Sequence, residues 1–186
     1  MTKASSKVFL KSPLGAMVLC FEQEKMISAD WPVLTKKDLA PRVAVESTEG
    51  IVSVGVTSSA GELVVRWFAD YFDRREKSID IDVSALKGSP FQKKVWKTLL
   101  TIPRGETRSY SDIARAIKSP RAMRAVGMAC GRNPIPLLIP CHRVVGASGK
   151  LTGFSGGLWR KEWLLQFEKQ TMATQSGARR SNKRAA

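Results

Sequence analysis

Cys141, His142 and Arg143 follow one another at the end of an apolar run, Ile135-Pro136-Leu137-Leu138-Ile139-Pro140. A thiol in apolar surroundings has a raised pKa and is inert unless a nearby base or cation favours the thiolate. His142 is the only histidine of the chain and directly follows Cys141, so a sulfur nucleophile and a base occur together. By itself the adjacency is weak evidence, since a lone cysteine is most often a small buried hydrophobe and a lone histidine a structural residue. On an extended segment adjacent side chains point to opposite faces, so a working pair here needs a bend or a bridging water. Cys20 and Cys130 lack such a neighbour and read as small buried hydrophobes.

The elements that must hold this segment lie on both sides of it. Upstream, Ser89 as N-cap and Pro90 as first helical residue open a helix through Phe91, Val95, Trp96, Leu99 and Leu100, stopped by Pro103-Arg104-Gly105. Ser109-Tyr110-Ser111-Asp112 has capping-box spacing and opens a second helix with Ile113, Ala114 and Ile117 on one face. Ser119-Pro120 is expected to start a third helix running to about Cys130, making a helix-turn-helix. On a helix over 120–131, Arg121, Arg124 and Met128 share a face, while Ala122, Ala125, Gly127 and Ala129 keep the surface slim. A helix that reads bases in the major groove presents Asn, Gln or several Arg. Small residues around one prominent Arg instead suit sequence-independent binding and approach to the narrower minor groove. Downstream come a Pro-rich irregular segment (133–145), a Gly-rich one (146–157) and a last helix over 158–168.

The charge follows the same division. The chain has 186 residues and a formal net charge of +15. Residues 1–86 are near neutral at −1, residues 87–132 carry +9, residues 133–168 carry +2, and residues 169–186 carry +5. A basic block inside a folded segment points to a polyanionic partner, nucleic acid before an anionic membrane. With 43% hydrophobic residues the chain can build a core, which excludes disorder as a description of the whole. No uncharged run approaches membrane-spanning length, and three cysteines make no closed disulfide framework, so a reducing, cytoplasmic setting is expected. The apolar stretch 14–21 follows Lys3, Lys7 and Lys11 but runs into Glu22 without a small-x-small cleavage site, and reads as a strand.

The first half reads as strands followed by a helix. Two extended segments flank Ser12-Pro13-Leu14-Gly15 as in a hairpin, and residues 51–57 form another β-branched run. Ser59-Ala60-Gly61-Glu62 has capping-box spacing ahead of the stripe Leu63, Val64, Trp67, Phe68, Tyr71 and Phe72, with Arg74, Arg75 and Lys77 placed in the last turn. The expected organisation is an α/β scaffold domain over 1–86, a DNA-binding and catalytic domain over 87–170 and a basic, disordered tail over 171–186.

Pro140-Cys141-His142-Arg143-Val144 is preceded by Arg124-Ala125-Val126-Gly127 and Asn133-Pro134. It is followed by Gly153-Phe154-Ser155-Gly156-Gly157 and Lys161-Glu162-Trp163-Leu164-Leu165. This series resembles the O6-alkylguanine-DNA alkyltransferases from about Phe91 to Glu168. The resemblance implies an α/β protein, with a small ribonuclease-H-like N-terminal domain and a mainly α C-terminal domain holding a helix-turn-helix and an active-site loop.

It also implies a mechanism. Cys141 is the nucleophile that takes the alkyl group from guanine O6 in one displacement and keeps it as a thioether, so each molecule acts once. O4-alkylthymine is implied as a second substrate. His142 takes the thiol proton through a water, and Glu168 orients the imidazole. The base must be flipped out of the duplex. Arg124 fills the vacated place, with Arg121, Ala122, Ala125 and Gly127 at the DNA, while Tyr110 assists rotation and polarises the departing guanine. Asn133, Pro136, Val144, Phe154 and Ser155 are implied to form or brace the substrate pocket; Phe154 stands where many relatives have Tyr.

The implied partner is double-stranded DNA containing O6-alkylguanine, bound by a monomer largely without sequence specificity. No cofactor and no metal are expected, since the zinc site of some animal members needs histidines absent here. Two other readings remain. An alkyltransferase-like protein that binds lesions without repairing them would lack the cysteine that is present as Cys141. A cysteine hydrolase using Cys141 and His142 leaves the +9 block unexplained.

Overall fold

The computed structural model describes residues 5–22, 24–31, 44–48, 51–54, 59–75 and 79–182, and its chain divides into two compact units, 1–82 and 83–186. Val83 and Leu86 are both buried and close a turn through Leu86 N–H to Val83 C=O (3.3 Å).

Among its described residues the first unit is an antiparallel sheet with one helix. Strands β1 (Ser5–Ser12), β2 (Gly15–Glu22), β3 (Lys25–Asp30), β4 (Ala44–Thr48) and β5 (Ile51–Val54) stand in the order β3-β2-β1-β5-β4. Ser12 holds the β1–β2 turn by accepting from Leu14 N–H and donating to Gly15 C=O, and Gly15 takes a φ of 98°. Alternation along both strands buries Val8, Leu10, Met17, Leu19 and Phe21, whereas Cys20 is only half-buried on the other face. Helix α1 (Ser59–Phe72) buries Val64, Phe68 and Tyr71 and leaves Leu63 63% exposed, outside the stripe expected for it. Ser59 does not cap it as expected. The Glu24 carboxylate accepts from the Ser59 hydroxyl and the Ala60 amide instead. The helix stops before its expected basic last turn: Arg74 adopts φ 61°, with Arg75 N–H bonded to Asp70 C=O and Arg74 N–H to Tyr71 C=O. That is a Schellman ending without glycine.

The second unit is mainly helical. Its elements are α2 (Pro90–Leu99), β6 (Arg108–Ser109), α3 (Tyr110–Ala116), α4 (Met123–Gly131), a single 3₁₀ turn (Cys141–Arg143), β7 (Val144–Val145) and α5 (Leu158–Asn182). Ser89 and Ser109 both form full capping boxes, with Gln92 and Asp112 as their partners. Trp96 is 1% exposed and donates its indole N–H to Ala129 C=O at 2.9 Å, which locks α2 to α4. Among the described residues no helix is long and apolar enough to cross a membrane.

Two helix boundaries differ from expectation. Lys118 takes φ 57°, and Ala122 N–H bonds to Ser119 C=O, so Pro120 occupies the second position of a β-turn and does not start α4. Helix α4 therefore begins at Met123, and Arg121 lies outside it. Helix α5 continues to Asn182 through most of the segment expected to be a disordered tail. Residues 169–182 contain no proline and a single glycine, Gly177, so nothing in them forces an earlier stop.

Candidate active site

The reactive segment is held from three directions. Parallel pairing of β6 with β7, Arg108 to Val144 and Ser109 to Val145, fixes the chain leaving Cys141 against the chain entering α3. Upstream, Asn133 bridges three groups: its Oδ1 accepts from Ile135 N–H (3.1 Å), and its Nδ2 donates to Ile139 C=O (2.7 Å) and to Cys141 Sγ (3.0 Å). Behind them, α5 aligns Lys161, Leu164, Glu168 and Thr171, all 0% exposed, on one helical stripe.

Cys141 and His142 sit in the 3₁₀ turn and not in an extended strand. Successive side chains then diverge by about a third of a turn. Cys141 is 3% exposed and His142 is fully buried. Burial pushes the Cys141 thiol up to about 11, against the lowering effects of the Asn133 hydrogen bond and the charge of Lys161. Burial also lowers the pKa of His142, against the opposing pull of Glu168, so the resting imidazole is neutral.

His142 Nε2 lies 3.0 Å from Glu168 Oε1. An ionised carboxylate only accepts, so this fixes the Nε2–H tautomer and leaves the lone pair on Nδ1. Nδ1 is buried and has no hydrogen-bond partner among the described residues. Burial disfavours charge on Glu168, yet His142 and Arg143 outweigh it and hold the carboxyl far below the usual range. Arg143 donates from Nε to Glu168 Oε2 (3.0 Å), from Nη2 to Oε1 (2.8 Å) and from Nη1 to Ile102 C=O (2.6 Å). Gly105 N–H donates to Oε2 at 3.1 Å. The family resemblance pointed to Glu168 beside His142; Arg143 and Gly105 were missed as its partners.

The outer face of the site is formed by α3 and α4. A shallow pocket of about 280 Å³ is lined by Tyr110, Ser111, Met123, Arg124, Gly127 and Ala147. Arg124 is exposed on α4, with Met123 (49%) and Met128 (60%) exposed beside it. Gly127 lies against the Tyr110 ring: a Cβ there would sit 3.8 Å from its Cε1. The Tyr110 hydroxyl donates to Thr152 C=O (3.1 Å), and burial raises its pKa. Of the other expected pocket residues, Pro136 and Val144 are buried, Phe154 is half-buried and Ser155 is exposed. Ala122 and Ala125 are half-buried, and Arg121 is exposed in the turn before α4.

Lys161 is the third residue that sequence reasoning passed over. Its ammonium donates to Thr152 C=O (2.7 Å) and Gly153 C=O (3.3 Å) and lies 5.9 Å from the Tyr110 ring centre. Its signal was present: a lysine in helical phase with Leu164 on a buried stripe has to find a partner.

Comparison with known proteins places this geometry. The family described as 6-O-methylguanine DNA methyltransferase, DNA binding domain, matches residues 90–170, which include every side chain of the cluster just described. A methylated-DNA–protein-cysteine methyltransferase of Mycobacterium bovis is 57% identical over 99 residues, 53% of this chain but only 59% of that relative's length. The counterpart from Shigella flexneri is 38% identical over 160 residues, 86% of this chain and 92% of its own. The crystal structure of Mycobacterium tuberculosis OGT in complex with DNA aligns with a TM-score of 0.70 at 39% identity, covering 88% of this chain and 92% of that one. The M. tuberculosis O6-methylguanine methyltransferase structure gives 0.71 at 37%, over 90% and 94%. Since the likeness extends over nearly the whole of several relatives and does not stop at the reactive segment, the chain belongs to the methylated-DNA–protein-cysteine methyltransferase family.

Proposed function

We propose that this protein repairs double-stranded DNA by transferring the alkyl group of O6-alkylguanine, and of O4-alkylthymine, once to Cys141. The observation that carries the reading is the buried series Asn133–Cys141, His142–Glu168–Arg143, in one unit with the exposed Arg124. A thiol at about 11 is protonated at neutral pH, so a base must act on it during the reaction. His142 Nδ1 takes the proton through a water, and the Glu168 carboxylate stabilises the imidazolium that forms. Sulfur then attacks the alkyl carbon, the C–O6 bond breaks, and its electron pair stays on the guanine. The Tyr110 hydroxyl, next to the pocket, supplies the proton that lets the base leave neutral. The new C–S bond is a thioether with no good leaving group, so the protein is consumed.

The substrate must be flipped, because a cysteine that is 3% exposed cannot reach an atom inside the base stack. Helices α3 and α4 act as the helix-turn-helix at the minor groove, and Arg124 occupies the space the base vacates. The slimness of α4 and the +9 charge of residues 87–132 support binding that tracks phosphates without reading sequence, by a monomer in a reducing cytoplasm.

Duplex DNA carrying a radiolabelled O6-methylguanine tests the reading. Label is expected on Cys141, one per protein molecule. Repeated turnover, or transfer that survives Cys141→Ser, overturns it.

A further inference from the structure

The reaction just proposed gives no task to Lys161, the one lysine among the described residues that is fully buried. Its partners are two backbone carbonyls, not a carboxylate. A lysine stem could fill this volume as Leu or Met at far lower desolvation cost, so retaining the charge is the feature to explain. Two observations say what the charge faces. The Thr152 carbonyl that accepts from Lys161 Nζ also accepts from the Tyr110 hydroxyl, so one oxygen joins the ammonium to the phenol. In addition, the Lys161 charge acts to lower the pKa of Cys141, against the burial that raises it.

We propose that Lys161 is a positioning residue for alkyl transfer: its ammonium fixes the Thr152–Gly153 backbone that holds the Tyr110 hydroxyl, and it places a buried positive charge near Cys141. The backbone it grips needs this support. Gly153 takes φ 47°, and a Cβ there would lie 3.8 Å from the Tyr110 oxygen, so this left-handed turn lies against the phenol. The charge matters as the proton leaves sulfur, when the site gains a negative charge far from water. Lys161 would act through Tyr110 and through the field at the sulfur, without touching the alkyl group.

The assignment rests on Cys141 being the nucleophile, but the test need not use guanine. The rate of Cys141 alkylation by iodoacetamide, read peptide by peptide against Cys130 and Cys20, reports its thiolate fraction across pH. Other charged or titratable groups around the sulfur are His142 and Arg143 on its own turn, Cys130 on α4, Tyr110 on α3 and Glu168 on α5. They stay constant across the Lys161 variants. Lys161→Met is expected to move the midpoint upward and to slow alkylation at pH 7.5 by about tenfold for each unit of that shift. Lys161→Arg, which keeps the charge, is expected to hold the midpoint near that of the wild type.

An unshifted midpoint in folded Lys161→Met overturns the proposal. If that variant does not fold, Lys161→Gln, which keeps a donor for the Thr152 carbonyl without the charge, reads the same quantity. A midpoint in Lys161→Arg raised as far as in a neutral variant also overturns it. Label transfer from DNA to the wild-type protein is measured separately, so loss of that activity reading is distinguishable from loss of this one.

Discussion

Glu168→Gln isolates the charge that the site is built around. The substitution keeps the side-chain shape and one acceptor oxygen but removes the negative charge that serves His142, Arg143 and Gly105 together. Arg143 is then left largely buried opposite a neutral amide, and breaking one side of a buried pair costs about 3–5 kcal/mol. Part of that is recovered because an amide oxygen still accepts, so a loss of about 2–3 kcal/mol is expected. For a chain of this size that lowers Tm by about 4–12 °C. The rate should fall separately. A hydrogen bond to a charged group contributes about 1.5–3 kcal/mol, and here it is strongest when His142 becomes imidazolium, so single-turnover methyl transfer is expected to slow by about 10- to 150-fold. The assays are thermal unfolding by circular dichroism and label transfer from O6-methylguanine duplex at saturating protein, well below Tm. A folded Glu168→Gln protein that transfers at the wild-type rate would refute the role given to the carboxylate.

Arg124→Ala should slow transfer from duplex DNA far more than from free O6-benzylguanine if, as proposed, the exposed guanidinium serves base extrusion and not the displacement; equal slowing removes that role. Asn133→Ala deprives Cys141 Sγ, Ile139 C=O and Ile135 N–H of a partner at once. It is expected to raise the alkylation midpoint of Cys141 and to destabilise the fold by about 2–4 kcal/mol, both readable by titration and melting. Gly105→Ala places a Cβ 2.8 Å from Met172 Cγ at a backbone φ of 77°, so a stability loss of about 1–2 kcal/mol is expected in denaturant unfolding. Stability should also decline as pH falls through the ordinary histidine value of 6.5: folding lowers the His142 pKa, so the unfolded chain binds a proton there that the folded chain refuses. Replacing His142 with Asn is expected to flatten that part of a pH–stability curve.

Helix starts were legible where a side chain alone decides them. Ser89 and Ser109 cap α2 and α3 through oxygen atoms three residues from their targets, and no tertiary information is needed. The same spacing failed at Ser59, because a carboxylate distant in sequence, Glu24, took the exposed amide. A different start signal failed at Pro120, since Ser-Pro suits a β-turn as well as a helix start and the left-handed Lys118 selects the turn. In the site, the adjacency of Cys141 and His142 was visible in sequence, while the roles proposed for them, for Glu168 and for Tyr110 came from the family pattern. Arg143, Gly105 and Lys161 were not assigned roles, because each acts through a partner at least eight residues away, often a backbone carbonyl or amide that no residue type announces.

The three missed residues share one physical consequence. Glu168 accepts from the turn after α2 through Gly105, and from the 3₁₀ turn through His142 and Arg143. Lys161, two turns earlier on the same stripe of α5, holds the Thr152–Gly153 loop. One helix thus places a buried anion behind the imidazole and a buried cation near the sulfur, and the two are fixed relative to each other by the rise of the helix. In the reaction proposed above, proton transfer from Cys141 to His142 creates the opposite pair, a negative sulfur and a positive ring. The charges on α5 are therefore arranged to favour the state after proton transfer over the resting one. They are set at folding, with no reorganisation left for the moment of reaction. Burial that keeps the resting thiol protonated and unreactive is in this way compatible with fast displacement once a base is in place. A cysteine activated only by exposure would instead react with any electrophile in solution.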